Sequence, residues 1–431
     1  MFGVRLPRCG LAPCPPRDSP RPNPGFSVRN VVFVAPFPLE TTLRFVRATV
    51  SLPGVRVLGV VQQSPRPDQD VRWGDMIVVK DALDTRQLAA AVEQLQRRHG
   101  TIHRVIGVLE ALQTQLAEVR EHFGIPGQDV ASAERFRDKN KMKEALHAAG
   151  IPCARHKLLT NAADARGFIN EVGLPIVLKP PSGVGCRSTY RIDDEAGLAE
   201  ALAELRPSEQ RPLLAEEFLR GEESTFETLT LGGEPVFHSI SRYYPGPLDC
   251  MRNEWIQYCV QLPRNLWVPQ FDDIRKVGVA TVKALGMRDG MTHMEWFRRP
   301  DGSLAVGEIA MRPPGVNLVP MMGMAYGTDM FRNWARAVVD HAWDGPWERR
   351  TSVGCAFLRG PGRGRVVAVE GIEEAQRAMG SVVVEARLPQ VGQPKADGYE
   401  GEGYVIVRHP DDNVVRRALT TLIETIRVRY A

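Results

Sequence analysis

Short apolar segments alternate with amphipathic segments along the chain from Val28 onwards. Buried strands are predicted for four apolar runs, VRNVVFVAPFP, VRVLGVVQQ, MIVVKD and HRVIGVLE. Continuous runs of this kind, closed by proline or polar residues, are typical of strands in parallel sheets. Helices are expected at residues 39–52, 85–99 and 112–123. The repetition of strand and helix predicts a doubly wound parallel sheet over residues 28–131.

The pattern changes near Ser132, where a long amphipathic segment begins. The segment RFRDKNKMKEALHAAG has apolar side chains at helical spacing, and we expect one helical face to carry Phe136, Met142, Leu146 and Ala149. A short apolar strand, LPIVLK, follows this helix.

A β-hairpin is the clearest element further along the chain. The segment MTHMEWFRRPDGSLAVGEIAM has two alternating strands on either side of Pro300–Asp301–Gly302, which is typical of a hairpin turn. Helices are predicted around residues 195–205 and 272–285. Residues 351–431 read as a small α+β unit with short strands and a last helix at 414–428.

Composition excludes several classes of protein. Hydrophobic residues make up 43% and charged residues 25% of the 431 positions, which excludes global disorder. The formal net charge of +4, from 55 basic and 51 acidic residues, is too even to favour nucleic acid as a partner. No apolar run approaches the roughly 20 residues of a membrane-spanning helix, so no membrane association is expected. Residues 1–27, rich in proline and arginine, are expected to form a disordered extension.

The cysteines give a further indication of compartment. All 7 are dispersed along the chain and none forms a C-x-x-C pair, so zinc and redox motifs are disfavoured. A set of this kind is typical of reduced thiols, and we expect a cytoplasmic protein.

Lys179 ends the strand LPIVLK and opens the loop P-P-S-G-V-G-C-R-S-T. Gly183 and Gly185 allow backbone N–H groups to approach a polyanion, and Ser182 and Ser188 add hydroxyl donors. The loop is not a Walker A motif, because G-x-x-x-x-G-K-[ST] does not occur in the chain. An ordinary turn between a strand and the next element explains the same residues, so the loop alone does not establish a phosphate-binding site.

Two carboxylates on the predicted hairpin are a sharper signal. Glu295 and Glu308 lie on opposite strands and can face the same surface when the strands pair. Paired carboxylates repel each other unless a cation lies between them, and their oxygens suit Mg²⁺. Arg312, four residues after Glu308, could neutralise a phosphoryl group or a carboxylate. The alternative is a solvated hairpin face.

Read in order, these segments resemble the ATP-grasp superfamily. A helix that opens with Asp138–Lys139 precedes LPIVLK and the glycine loop, and E-E-F-L-x-G-E-E and the hairpin string GEIAMR follow. The resemblance covers about residues 28–431 and implies a mixed α/β and α+β fold. Its expected parts are a pre-ATP-grasp domain at 28–131, an ATP-grasp domain at 132–350 with a lid lobe at about 154–215, and a C-terminal subdomain at 351–431.

The resemblance also implies roles for individual residues. ATP contacts are expected from Lys139, Lys179, Ser182, Gly183, Gly185, Ser188, Glu216, Phe218, Leu219 and Glu223. In the family the lysines bind phosphates, the loop closes over them, the segment beginning at Glu216 holds adenine, and the later glutamate holds ribose. One or two Mg²⁺ ions are expected on Glu295 and Glu308, and Arg312 and Lys179 are the expected catalytic residues.

One position departs from the family pattern. The family usually has E-x-N-x-R where this chain has Glu308–Ile309–Ala310–Met311–Arg312, so alanine replaces an asparagine that binds the second metal. Either Asn317 substitutes, or the second metal is held by Glu308 and phosphates, or the active site is degenerate. We favour retained activity, because both lysines, both glutamates and the arginine remain.

The resemblance implies an ATP-dependent carboxylate–amine ligase that works through an acyl phosphate, most similar in outline to the L-amino acid ligases. Small carboxylates and amines, an amino acid among them, are the expected partners, and a homodimer is possible. The alternatives are a bicarbonate-activating enzyme of the carboxylase type and a nucleotide-binding protein without turnover.

Four other polar residues are weaker candidates. Arg242 and Arg252 flank a segment where family members often bind substrate. His238 and His293 could act as bases, although a lone histidine on a strand is more often structural.

Overall fold

The computed structural model describes residues 28–183, 189–246, 250, 253, 256–398 and 400–431. The predicted extension at 1–27 lies outside these residues, as do Gly185, Ser188 and Arg252. Within the described chain, no helix is long and apolar enough to cross a membrane.

The first domain is a parallel sheet, as the alternation of apolar and amphipathic segments predicts. Its strands are β1 (Arg29–Val34), β2 (Val55–Val61), β3 (Asp75–Val78) and β4 (Ile102–Ile106), and its helices are α1 (Glu40–Val50), α2 (Thr85–His99) and α3 (Gln113–Phe123). The strand order is β3-β2-β1-β4, and every pair is parallel. The order reverses between β1 and β4, so their carboxyl ends border a crevice of the kind that binds ligands.

The long helix predicted after Ser132 is two helices, so that prediction is wrong. Helix α4 spans Val130–Arg137 and helix α5 spans Lys139–Ala148. Asp138 between them has extended backbone angles, and its carboxylate accepts hydrogen bonds from the backbone N–H groups of Asn140 and Lys141. This N-cap outweighs the continuous apolar spacing. Ala149 lies beyond α5 and is exposed.

A four-stranded antiparallel sheet follows. It consists of β5 (His156–Leu159), β6 (Ile176–Lys179), β7 (Tyr190–Ile192) and β8 (Leu213–Glu217), in the order β5-β8-β6-β7. Helices α6 (Ala162–Val172) and α7 (Glu195–Leu205) bury their apolar sides against it. We call this unit the small lobe.

The largest sheet has eight strands. The remaining strands of the chain are β9 (Glu222–Leu231), β10 (Glu234–Tyr244), β11 (Cys259–Leu262), β12 (Gly290–Arg298), β13 (Leu304–Ala310), β14 (Ser352–Leu358), β15 (Val366–Glu370), β16 (Val383–Arg387), β17 (Gly403–His409) and β18 (Arg427–Tyr430). The order in the large sheet is β13-β12-β9-β10-β11-β14-β17-β16. Strands from both sides of residue 351 therefore share one sheet.

Helices cover both faces of the large sheet. The remaining helices are α8 (Asp272–Ala284), α9 (Leu318–Tyr326), α10 (Met330–Asp340), α11 (Ile372–Met379) and α12 (Asp412–Thr425). Phe226 on β9 points to the face that α8 covers, where its ring lies against Gly278. Since side chains alternate along a strand, Thr225 and Glu227 point to the other face, which is packed against α9, α10 and the parallel domain.

The end of the chain differs from the prediction of a helix at 414–428. Helix α12 ends at Thr425, and the alternating residues Arg427–Tyr430 form β18, which pairs with β15 in a separate two-stranded sheet. Val428 is buried there while Arg427 and Arg429 are exposed, which is strand periodicity rather than helical periodicity.

Candidate active site

The hairpin of β12 and β13 places Glu295 directly opposite Glu308. The register shifts by one residue just beyond this pair, so Gly307 forms a bulge next to Glu308. Both carboxylates lie on the face of the sheet that carries Thr225 and Glu227. Opposed residues in an antiparallel pair have Cβ atoms about 5 Å apart, so the two carboxylates share one small region.

Two lysines from different elements converge on these carboxylates. Lys139 begins helix α5, and its Nζ lies 3.1 Å from Oε1 of Glu308. Lys179 ends β6 in the small lobe, and its Nζ lies 3.7 Å from Oε2 of Glu308 and 2.9 Å from Oε2 of Glu216. Glu216 lies on β8, beside β6. The small lobe and the large sheet therefore meet in a network of alternating charges.

The charges in this network shift one another's pKa values. Burial would raise the pKa of Glu308, but Lys139 and Lys179 outweigh it and lower the pKa to about 2. Likewise Lys143 and Lys179 lower the pKa of Glu216 against its burial. The pKa of Glu295 is raised, because its side chain is half-buried and faces the charge of Glu308. A cation between Glu295 and Glu308 would relieve this repulsion.

Lys143 belongs to the network, and the sequence interpretation missed it. It lies one helical turn after Lys139 and is 0% exposed. Its Nζ donates to the backbone carbonyl of Gly307 at 2.8 Å and lies 3.5 Å from Oε1 of Glu216. The spacing of four residues from Lys139, beside the apolar Met142 and Leu146, was the available signal, since a lysine on a buried helical face needs a partner.

Arg312 has a partner in the parallel-sheet domain. Its Nε donates to Oε2 of Glu110 at 3.1 Å. Arg137 Nη1 lies 3.7 Å from the other oxygen of Glu110 and donates to the carbonyl of Gly183 at 3.1 Å. Glu110, which is buried, was not among the predicted residues. It follows the carboxyl end of β4, which is where side chains of a parallel sheet meet ligands.

His293 lies beside the carboxylate pair. Its Nδ1 is 3.0 Å from Oε1 of Glu227, and its Nε2 is 3.9 Å from Oε1 of Glu295. Glu227, only 1% exposed, was also missed by the sequence interpretation. The contact holds the imidazole in one orientation next to Glu295.

The other weaker candidates on described residues lie elsewhere. His238 stacks on Phe226, on the face of the sheet that α8 covers, with ring centroids 5.4 Å apart. Arg242 is on the same face, with its guanidinium 5.2 Å from the centroid of the Phe271 ring. The structure therefore separates both residues from the carboxylate pair.

The link between the small lobe and the large sheet runs from β8 to β9. Phe218 follows Glu216 on this link, its backbone N–H donates to the carbonyl of Pro175 at 3.3 Å, and the guanidinium of Arg191 lies 4.3 Å from its ring centroid. Leu219 is half-buried. Gly221 has φ +140°, and a Cβ there would lie 2.0 Å from the carbonyl oxygen of Arg298, so only glycine fits.

Glu223, Ser182 and Gly183 are the remaining predicted ATP contacts among the described residues. Glu223 is on β9, on the same face as Glu295. A Cβ on Gly246 would lie 2.4 Å from Oε2 of Glu223, so the backbone at Gly246 approaches this carboxylate closely. Ser182 is exposed, and the carbonyl of Gly183 also accepts a hydrogen bond from Lys139 at 3.4 Å.

The donor set fits a magnesium ion that arrives with a nucleotide. Among the described residues, no group of three or more histidine, cysteine, aspartate or glutamate side chains could hold a metal by itself. Mg²⁺ commonly binds one or two carboxylates and completes its shell with phosphate oxygens and water. Glu295 and Glu308 supply such a pair, and burial together with the charge of Glu308 raises the pKa of Glu295.

Asn317 does not replace the missing asparagine ligand, so that suggestion is wrong. Its Nδ2 lies 3.9 Å from Sγ of Cys355 on β14, which is five positions from β13 in the large sheet. Ala310 lies opposite His293 and has no oxygen in its side chain. Two alternatives stay open. Either Glu308 and the phosphates hold the second metal, or the active site is degenerate.

Comparisons with known proteins agree with this geometry. The family model of the ATP-grasp domain matches residues 144–322. An L-arginine-specific L-amino acid ligase of Bacillus subtilis is 27% identical over 268 residues, which are 61% of this chain and 63% of that protein. An alanine–anticapsin ligase of Bacillus subtilis is 28% identical over 236 residues, which are 50% of this chain and 49% of that protein. The chain thus spans about half to two thirds of the length of these relatives.

Solved structures extend the likeness to nearly the whole chain. The crystal structure of an L-amino acid ligase from Bacillus licheniformis matches with a TM-score of 0.75 and 19% identity, over 94% of this chain and 99% of that one. An N5-carboxyaminoimidazole ribonucleotide synthetase from Thermotoga maritima matches with a TM-score of 0.68 and 18% identity, over 94% and 99%. At these identities the likeness shows the fold of this chain alone. The two solved proteins share that fold, although their names indicate different substrates.

Proposed function

Because the chain contains an ATP-grasp domain and has amino acid ligases among its homologues, we propose that it is an ATP-dependent carboxylate–amine ligase. In this proposal an amino acid carboxylate is activated as an acyl phosphate, an amine displaces the phosphate, and ADP and phosphate are released. The observation that carries the proposal is the convergence of Lys139 and Lys179 on Glu308, with Glu295 opposite.

The nucleotide would lie between the small lobe and the large sheet. Lys139 and Lys179 would bind its phosphates, since their ammonium groups converge on Glu308 and can form charge-assisted hydrogen bonds with phosphate oxygens. Backbone and hydroxyl groups of Ser182 and Gly183, and of Gly185 and Ser188 outside the described residues, would cover the phosphates. The segment of Glu216, Phe218 and Leu219 would hold adenine, and Glu223 would hold ribose.

Glu295 and Glu308 would hold one or two Mg²⁺ ions. When bound, such an ion neutralises charge on the phosphates and on the phosphoryl group in transfer. The chain itself would hold Glu308 ionised through Lys139 and Lys179, and the strand pairing with its bulge at Gly307 places Glu295 opposite it.

Arg312 would bind the reacting carboxylate. An oxygen of that carboxylate attacks the γ-phosphorus, and the bond from this phosphorus to the bridging oxygen of ADP breaks. Next the amine nitrogen attacks the acyl carbon, the bond from carbon to the phosphate oxygen breaks, and the amine loses a proton. The guanidinium can stabilise the negative charge that develops in both steps, and the contact with Glu110 holds it in place.

An amino acid substrate is supported by the names of the relatives, and a cytoplasmic location by the cysteines. Three of them, Cys153, Cys259 and Cys355, are buried free thiols, as expected in a reducing compartment. Small-molecule carboxylates and amines are the proposed partners, and a homodimer stays a prediction.

The test is a matrix of amino acid pairs incubated with ATP and Mg²⁺, scored for phosphate release and for the mass of the product. We expect phosphate release that depends on both an amino acid carboxylate and an amine, with a product lighter by one water than the pair. Release that depends on bicarbonate instead would support the carboxylase type. Binding of ATP without ADP formation across the matrix would support a protein without turnover.

A further inference from the structure

The charge network between the small lobe and the large sheet contains a third lysine besides the two that are assigned to the phosphates. Lys139, Lys143 and Lys179 all lie within 3.5 Å of Glu216 or Glu308. Two of them, Lys139 and Lys179, are the lysines assigned to the phosphates under the proposed function. A lysine that binds a phosphate shares its one positive charge between the phosphate and its present carboxylate partner, so it compensates that carboxylate less than before.

Glu216 is the carboxylate that loses most from such an exchange. It is only 6% exposed, and Lys179 is the lysine that donates a hydrogen bond to its Oε2. Its other oxygen, Oε1, is buried and accepts no hydrogen bond within the described part of the chain. If Lys179 turned to a phosphate with no other cation nearby, a buried carboxylate would be left without compensation, which is strongly unfavourable.

Lys143 is placed to prevent this. Its Nζ lies 3.5 Å from Oε1 of Glu216, and its side chain is 1% exposed, whereas the side chain of Lys179 is 13% exposed. The hydrogen bond to the carbonyl of Gly307 at 2.8 Å anchors its ammonium to β13. Lys143 therefore stays beside Glu216 when Lys179 turns to a ligand.

We propose that Lys143 is a resident counter-ion, a positioning residue that keeps Glu216 compensated and thereby frees Lys179 to bind the phosphates of the nucleotide. The inference rests on the proposed ATP-binding function and adds to it a reason for the third lysine. Lys143 itself does not touch the nucleotide. Its effect on affinity passes through Glu216, and this dependence distinguishes it from a residue that only stabilises the fold.

The experiment is a double-mutant cycle measured by titration calorimetry with ATP and Mg²⁺. Lys143→Met should weaken ATP binding at least tenfold in the wild-type chain but less than threefold in the Glu216→Gln chain, since the neutral amide needs no counter-ion. Lys143→Arg should retain affinity within threefold. The matched control is Lys141→Met, because Lys141 lies on the same helix, exposed and 2.7 Å from Glu134.

The outcomes separate this inference from the function on which it rests. If the wild-type protein binds no ATP, the proposed function itself fails. If the wild-type protein binds ATP and Lys143→Met binds it equally well, the counter-ion role is wrong. Equal losses in both backgrounds, with thermal unfolding unchanged, would also overturn it. Should Lys143→Met not fold, the same cycle with Lys143→Gln, which keeps a donor for Gly307, decides by the same criteria.

Discussion

Arg312 and Glu110 are hydrogen-bonded at 3.1 Å although they belong to different domains. Arg312 follows the last strand of the hairpin, and Glu110 follows β4 of the parallel sheet. The contact therefore joins the large sheet, which carries the carboxylate pair, to the crevice of the first domain. It also places a guanidinium beside the buried carboxylate of Glu110.

The first prediction concerns this pair. Arg312→Lys keeps the charge but loses the planar fork that can hold both Glu110 and a reacting carboxylate. We expect kcat to fall roughly 100-fold, with a smaller rise in the KM of the carboxylate substrate, because the guanidinium acts on charge that develops during the reaction. Steady-state kinetics with the preferred amino acid pair measure this. Activity equal to that of the wild type would remove Arg312 from the reaction.

The second prediction concerns Lys179. Lys179→Ala should lower activity by about two orders of magnitude or more, because the residue is assigned to the phosphates. The matched control is Lys157→Ala, since Lys157 lies on a strand of the same lobe and is exposed. Thermal unfolding should show that both variants fold. An active Lys179→Ala variant would contradict the assignment of this lysine to the phosphates.

The third prediction concerns the metal. Ala310 lies on the same strand as Glu308, two residues on, so its side chain faces the same side of the sheet. Ala310→Asn should therefore add an oxygen ligand and lower the Mg²⁺ concentration that gives half-maximal turnover. Ala310→Leu, which has a similar shape without the oxygen, separates the ligand effect from crowding. If the asparagine variant needs as much Mg²⁺ as the wild type or more, the second metal site is built differently.

The fourth prediction concerns acid stability. The pKa of His238 is lowered to about 4, because the ring is half-buried and the cations of Arg349 and Arg275 lie nearby. In the unfolded chain the pKa is about 6.5, so the unfolded state binds a proton first as the pH falls. The stability tied to the neutral ring is complete above pH 6.5 and is lost as the pH falls through 4.

Urea unfolding between pH 7.5 and pH 4.5 checks this. His238→Phe keeps an aromatic ring against Phe226 and cannot take a proton, so its free energy of unfolding should depend less on pH than that of the wild type. Identical pH dependence in the two proteins would show that His238 is not the group responsible.

Much of the site could be predicted from the sequence because it rests on local patterns. The hairpin follows from alternation and a turn sequence, and together with the bulge at Gly307 it brings Glu295 opposite Glu308. Lys179 stands out because a charged residue ends an apolar strand. These signals need no knowledge of how distant segments pack.

The residues that were missed depend on tertiary contacts. Glu110 and Arg312 are 202 positions apart, and Lys143 meets the carbonyl of Gly307 across 164 positions. No local pattern contains either pairing. The break at Asp138 is a different case, since the cap was visible in the sequence but competed with an apolar spacing that runs through it.

The continuous large sheet means that the chain cannot be divided at residue 351 as a set of interchangeable modules. Strand β14 pairs with β11 through four residue pairs and with β17 on its other side. A chain cut at this point would present β11 as a bare edge, ready to pair with another molecule, and would uncover the core around Val260 and Leu262. The strands that carry the carboxylates and those near the end of the chain therefore have to fold together, and a shortened version is expected to aggregate rather than to work slowly.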